Sequence, residues 1–256
     1  ASDVYKRQVM EGVLRHRQSD LCGIVNGIDE DIWNPATDPN ITPYKTLAGK
    51  AANKTALQKT FGLGPADGPL CVLVSRLTEQ KGIDLLLGAL PELLRQGGQL
   101  ALIGSGDPRL EVALLEAAAT HENVSVKIGY DEALSHQMMA GGDVILVPSR
   151  FEPCGLTQLY GLRYGTLPLV ALTGGLADTV INASPAALAS GVATGVQFFP
   201  ITSQALSNAF ARMAGLYAQP KIWKQMQRNA MQQTVGWKAS AAEYHAIYQS
   251  LSETRR

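Results

Sequence analysis

Ser149-Arg150-Phe151-Glu152-Pro153-Cys154-Gly155-Leu156-Thr157-Gln158 follows the apolar run Asp143-Val144-Ile145-Leu146-Val147-Pro148 and precedes Leu159, Tyr160, Leu162 and Arg163. The apolar run is short and rich in β-branched residues, which suits a buried parallel strand. The residues from Leu156 onward fall on helical spacing, so the stretch is a strand-to-helix turn. Pro148 and Pro153 keep the helix from starting early, and the amides of Cys154, Gly155 and Leu156 stand free near its N-terminus, where an anion is favoured. Glu152 sits beside them. An acid there has a plain explanation in the helix macrodipole. Its place with Arg150 at the carboxyl end of a strand, where open α/β sheets bind ligands, and a glycine that permits close backbone approach, favour a functional role.

Working outward, apolar runs alternate with helical patterns. Strand candidates are Cys22–Val25, Leu70–Val74, Gln99–Ile103, Val124–Ile128, Asp143–Val147, Leu167–Ala171 and a last one over 195–199. Helical spacing occupies about 45–61, 82–95, 109–121 and 132–140, the segment after Gly155, and most of the chain from Thr202, with breaks expected at Gly215, Pro220 and Gly236. Such alternation implies an α/β fold, a doubly wound parallel sheet of Rossmann-like type. In the tail, Trp237, Ala241, Tyr244 and Tyr248 form one apolar stripe, which needs a surface to cover it.

The 256 residues are 46% hydrophobic, enough for a sizeable core. Lys plus Arg equal Asp plus Glu at 22 each, so no overall field favours nucleic acid or an anionic membrane. No apolar run is long enough to span a bilayer. Three cysteines without zinc spacing, Cys22, Cys71 and Cys154, suggest reduced thiols and a cytoplasmic location. Residues 1–10 show no periodicity that joins them to the rest of the chain and read as an artefactual or truncated segment, with 11–22 a remnant of a preceding domain or linker. A main domain is expected over 23–236 and a C-terminal helix over 237–256.

Further motifs lie after other strands. In Ser75-Arg76-Leu77-Thr78-Glu79-Gln80-Lys81-Gly82, two cations flank one strand-to-helix turn. Most surface cations are merely solvated, but a departing diphosphate needs positive charge nearby, so Arg76 and Lys81 are site candidates. Asp29-Glu30-Asp31 is the one Asp-x-Asp; it reads as a cap rather than a metal site, and no metal or other cofactor is expected. Gly104-Ser105-Gly106-Asp107-Pro108 suits either a phosphate cradle or a tight turn with an Asp cap and a proline at the first helical position. Tyr130 stands after a strand and could stack on a nucleobase or pack on a helix. His121, His136 and His245 have no nucleophile in recognisable spacing and read as surface or core residues. Cys154 lacks a partner base, so its amide is the better candidate. Thr173-Gly174-Gly175-Leu176-Ala177-Asp178-Thr179-Val180 is a second glycine-rich turn, with a slight leaning towards a ligand role.

Ser75-Arg76-Leu77-Thr78-x-x-Lys81-Gly82, the 148–158 motif and Thr173-Gly174-Gly175-Leu176-x-Asp178-Thr179-Val180, in that order, resemble the C-terminal half of the bacterial glycogen synthase and plant starch synthase family, from about residue 11 onward. The resemblance implies half of a two-domain glycosyltransferase-B fold and a retaining, metal-free transfer of glucose from ADP-glucose to the non-reducing end of an α-1,4-glucan. It implies that Arg76 and Lys81 hold the diphosphate and that Glu152 lies at the donor glucose. The amides of Gly155, Leu156 and Thr157 would receive sugar or phosphate oxygens, Tyr130 would stack on adenine, and Asn26 would face the sugar cleft. A second Glu that many related transferases carry eight residues after the first is replaced by Tyr160. The family's N-terminal half, the expected partner of the C-terminal helix, is not in the sequence. A non-catalytic nucleotide- or glucan-binding module and a UDP-sugar transferase of the same fold are the alternatives.

Overall fold

The structure, a computed structural model, describes residues 11–253; the segment 1–10 lies outside them. Six parallel strands form one sheet in the order β3-β2-β1-β4-β5-β6: β1 Leu70–Val74, β2 Gln99–Gly104, β3 Val124–Ile128, β4 Val144–Val147, β5 Leu167–Ala171 and β6 Val196–Phe198. The order runs outward from β1 in one direction and from β4 in the other, the doubly wound topology expected of the alternation. Registers such as Val72↔Ala101 and Val72↔Ile145 place β1 at the centre.

The helices in chain order are α1 Glu11–His16, α2 Lys50–Thr60, α3 Ile83–Arg95, α4 Pro108–Thr120, α5 Glu132–Gly141, α6 Thr157–Tyr164, α7 Gly174–Thr179, α8 Pro185–Ala189, α9 Ser203–Tyr217, α10 Pro220–Met231 and α11 Trp237–Glu253, with α3 and α9 on one face of the sheet and α2 and α5 on the other. Period-2 alternation divides the strand residues between two cores. Cys71 and Leu73 pack with Ile83, Leu86 and Leu90 of α3 and Phe210 and Met213 of α9. Leu70 and Val72 pack with Leu57 of α2 and Leu134, Met138 and Met139 of α5.

Three sequence expectations need correction. Cys22–Val25 is not a strand. It runs beside the start of α11, where Ile28 bridges Gly236, Ile28 N–H donates to Val235 O at 2.8 Å and Ser240 Oγ donates to Val25 O at 2.6 Å. Gly27 permits this close approach, since a Cβ would lie 2.3 Å from Trp237 N. Gly215 does not break its helix, because the buried stripe Leu206, Phe210 and Met213 carries α9 through to Tyr217. The helix expected from 45 begins with a 3₁₀ turn at Leu47–Gly49 and becomes α-helical at Lys50.

The loop between residues 26 and 46 is pinned by a buried polar network. Asp38, 1% exposed, accepts from Tyr164 Oη at 2.5 Å and from the Asn40 amide at 2.9 Å, and pairs with His136 Nδ1 at 2.7 Å. Trp33 stacks between His136 and Tyr160, with centroids at 3.8 and 3.7 Å. His136 is thus a core histidine. Burial pushes the Asp38 carboxyl up, but the hydrogen bonds from Tyr164, the Asn40 amide and His136 outweigh it and hold it below the usual value. A depressed carboxyl stabilises the fold above its unfolded pKa, and that contribution disappears as pH falls through the folded value. Asp38→Asn should therefore lower the urea midpoint at pH 7 and flatten its decline between about pH 5 and 3. An unchanged acid limb would show that the network contributes nothing.

Candidate active site

The site lies where the strand order reverses, at the carboxyl ends of β1 and β4. Two loops meet there and are laced together. Arg150 N–H donates to Gln80 O at 2.8 Å, and the Arg150 guanidinium forks onto Asp84 with both bonds at 2.6 Å while also reaching Glu79 O. This planar two-point pairing suits arginine's fixed donor geometry. Arg150, expected to flank the site as a functional cation, is committed to holding the 148–156 loop on α3.

Lys81 Nζ donates to Glu152 Oε2, and Ser149 Oγ contacts the same oxygen at 3.4 Å. Glu152 is only 9% exposed, so an acid in a turn is here a nearly buried one, held by a cation that the loop after β1 brings across. Thr78 Oγ1 accepts from Lys81 N–H at 3.4 Å and caps the 3₁₀ turn that aims this lysine. At the end of that turn, Gly82 takes φ of +72°, and a Cβ would stand 2.1 Å from Pro148 O. Gly82→Ala is expected to cost at least about 1–3 kcal/mol and to lower the melting temperature measurably. A neutral result would mean the two loops have room to separate.

Arg76, nearer β1 in the same loop, is exposed, and its guanidinium has no hydrogen bond or ion pair among the described residues. It is a free cation beside a paired one. An ammonium has three donors, so Lys81 retains capacity beyond Glu152.

On the β4 side, the amides of Cys154, Gly155 and Leu156 donate to nothing among the described residues, and Thr157 opens α6, where an N–H has no partner four residues back. What keeps this loop in place is Gln158, to which no role could be assigned from spacing. Fully buried, it donates through Nε2 to Cys154 O at 2.9 Å and Gly155 O at 2.8 Å. Gly155, at φ +71°, leaves the room that Gln158 Oε1 fills. The second glycine-rich turn buttresses the same loop through Gly175 N–H to Glu152 O at 3.1 Å.

Burial pushes the Cys154 thiol up, Glu152 adds to that, and the Asn26 carbonyl contact works against it. A thiol kept protonated is a poor nucleophile, which leaves the Cys154 amide as its useful group. Asn26 reaches this edge through that carbonyl, with its side chain exposed. Tyr130 is 77% exposed after β3, two strand spacings or about 10 Å from β1. The cavity between Lys81, Glu152 and Thr157 holds about 90 Å³. That is a few waters' worth, so anything larger than a phosphate or part of a sugar extends along the open edge towards Tyr130.

Other motifs take structural parts. Gly106 N–H is occupied by Glu111 Oε1 at 2.7 Å, and Asp107 caps α4 with Pro108 following, so the tight-turn reading prevails over a phosphate cradle. Asp29 Oδ1 accepts from Asp31 and Ile32 N–H as a turn cap. Among the described residues, no three His, Cys, Asp or Glu side chains cluster as metal ligands, and no helix is long and apolar enough to cross a membrane.

The family model for glycosyl transferases group 1 matches residues 58–232. The chain belongs to this family. Glycosyl transferases group 1 relatives include the glycogen synthase of Jannaschia sp. (strain CCS1), 72% identical over 241 residues, covering 94% of this chain and 51% of the relative. That of Paracoccus denitrificans (strain Pd 1222) is 62% identical over 243 residues, covering 95% and 50%. Among solved structures, the catalytic domain of starch synthase IV from Arabidopsis thaliana, bound to ADP and acarbose, is similar at a TM-score of 0.87 and 35% identity, covering 94% of this chain and 51% of that one. The resemblance drawn from the three motifs is borne out, and this group 1 transferase chain spans about half the length of the curated relatives it matches.

Proposed function

We propose that this chain is the donor-binding wall of a retaining glucosyltransferase that moves glucose from ADP-glucose to the non-reducing end of an α-1,4-glucan, as in glycogen synthesis. The observation that carries the reading is the Lys81–Glu152 pair at the sheet's switch point, facing the free amides of Cys154–Leu156. Lys81 and Arg76 neutralise the diphosphate as it departs, without a metal. Glu152 lies on the donor-glucose side, where its negative charge opposes the positive charge growing at the sugar carbon. The amides of Gly155, Leu156 and Thr157 receive phosphate or sugar oxygens, Tyr130 covers the adenine, and Asn26 borders the sugar cleft. The similarity to a starch synthase bound to ADP and acarbose supports both the nucleotide and the glucan.

In this reading residues 23–236 form the nucleotide-sugar domain. Helix α11, whose Trp237, Tyr244 and Tyr248 are 47%, 41% and 67% exposed, packs back on an N-terminal domain that completes the cleft. Free Cys22, Cys71 and Cys154 fit a reducing cytoplasm. The chain alone is expected to bind ADP weakly and transfer nothing, because one wall supplies neither the orientation nor the exclusion of water that the reaction needs. The test is labelled glucan extension by the whole-length enzyme with ADP-glucose and with UDP-glucose, each with and without EDTA, beside ADP calorimetry on the chain. Preference for UDP-glucose, loss of activity in EDTA, or glucan extension by the chain alone would each overturn a part of it.

A further inference from the structure

A second cavity, a largely apolar one rimmed by cations, lies at the opposite edge of the sheet. It holds about 930 Å³ and is lined by Lys45, Arg163, Lys224 and Arg228 over an apolar floor that includes Leu47 and Met231; no aspartate or glutamate is among its described lining residues. Its placement follows from α6, which begins beside Glu152 and ends at Arg163 and Tyr164, where the chain turns into the amino end of β5. The eight residues of that helix separate the two sites by about 12 Å along its axis.

Each cation alone has an ordinary explanation. Arg163 in the last turn of α6 complements the helix dipole. Together they do not. Lys224 and Arg228 are four apart on α10, a like-charge pair that works against its own helix. Arg163 Nε is buried with no hydrogen-bond partner among the described residues, so no neighbour ties the arginine down through that atom. In a chain whose charges balance overall at 22 against 22, four of the cations, drawn from three separate segments, converge on one cavity.

We propose that this cavity binds an organic polyphosphate carrying about four negative charges. A phosphomonoester has roughly −1.5 to −2 at neutral pH, so two such groups match the four cations, and the volume lies within the usual range for small-molecule sites. A sugar bisphosphate and a nucleoside triphosphate share this chemistry. The apolar floor takes the organic body, while Arg163 and Arg228 supply forked donors and Lys45 and Lys224 supply point charges.

The test is calorimetry on this chain with inorganic pyrophosphate, a hexose 1,6-bisphosphate and ATP as separate probes at physiological salt. Three proteins are compared: the unaltered chain, Lys224→Glu/Arg228→Glu and Arg76→Ala/Lys81→Ala. Lys224 and Arg228 are exposed, so their reversal should leave the melting temperature nearly unchanged. At least one probe is expected to bind the unaltered chain and the Arg76→Ala/Lys81→Ala protein alike, and to bind the charge-reversed protein at least tenfold more weakly. Tighter binding of the hexose bisphosphate than of ATP assigns a sugar-phosphate ligand, and the reverse order a nucleotide. Loss of all binding in Arg76→Ala/Lys81→Ala, undiminished binding in Lys224→Glu/Arg228→Glu, or no binding of any probe at millimolar concentration would overturn the proposal. Because the donor site is read by Arg76→Ala/Lys81→Ala alone, failure here leaves the glucosyltransferase reading untouched.

Discussion

Lys81→Ala in the whole-length enzyme is expected to lower kcat by about two to three orders of magnitude, the usual effect of removing one preorganised group that faces developing charge. The lysine stands in the turn after β1 with Glu152 already on its ammonium, so under the proposed reading it needs no rearrangement to meet the diphosphate. The substitution also strands Glu152, 9% exposed, without its cation, and a moderate fall in melting temperature should accompany the kinetic loss. Glu152→Gln separates the two effects. It removes the charge but keeps a group that can bond Ser149 and Lys81, so turnover should fall sharply with little change in stability. Steady-state kinetics and thermal melts on both proteins decide it. Full turnover in either variant would remove that residue from the mechanism.

The largest expected effect on stability belongs to Lys50, far from that edge. It is 6% exposed, and its Nζ donates to Met139 O at 3.2 Å, Ala140 O at 2.7 Å and Thr166 Oγ1 at 2.6 Å. Two of these acceptors are carbonyls from the last turn of α5, which have no partner within that helix. Lys50→Ala strips Ala140 O of its partner, while Met139 O keeps the bond from Thr166 Oγ1, and it opens a cavity, costing on the order of 3–5 kcal/mol. For a domain of this size that is about 10 °C in melting temperature. Lys50→Met, which fills the space without satisfying Ala140 O, should lie between. Burial pulls the Lys50 ammonium from 10.5 down to about 7, with Asp143 acting against it. Between those values the unfolded chain binds more protons than the folded one, so this group makes stability rise with pH across that window. Both variants should lose that rise. If Lys50→Ala melts within a degree or two of the parent, the buried bonds are not what ties α2 to α5.

Lys50 also marks where sequence reading stops. In Gly49-Lys50-Ala51-Ala52-Asn53-Lys54 it looks like any surface lysine, and its acceptors lie 89 to 116 residues away. The same holds for Asp38 with His136, 98 apart, and for Arg150 with Asp84, 66 apart. Local spacing carries no information about such pairs. The sheet was legible because parallel strands buried on both faces are written as contiguous apolar runs, and the runs over 70–74 and 167–171 match β1 and β5 residue for residue, as does the 124–128 segment for the half-exposed edge strand β3, where Ser125 and Lys127 interrupt the apolar residues. Cys22–Val25 has the same composition but neighbours no strand, and composition alone could not tell it apart. At the site, the turn before α6 and the cations after β1 could be placed at one edge from topology. The near-burial of Glu152 could not, since it arises only when Lys81 arrives from 71 residues away.

The bridge between Ile28 and Gly236 means that the domain built on the six-stranded sheet is topologically close to a ring. A short glycine linker from Gly236 to Gly27 would span about one strand spacing, and the chain could instead be cut at the exposed turn His121-Glu122 between α4 and β3. Such a circular permutant keeps every βα unit contiguous, breaks only the β2–α4–β3 crossover and should fold to the same sheet, with a circular dichroism spectrum close to the parent's. A permutant that stays collapsed without cooperative melting would show instead that the order in which β1 and β4 are made, and not only their final pairing, directs the fold.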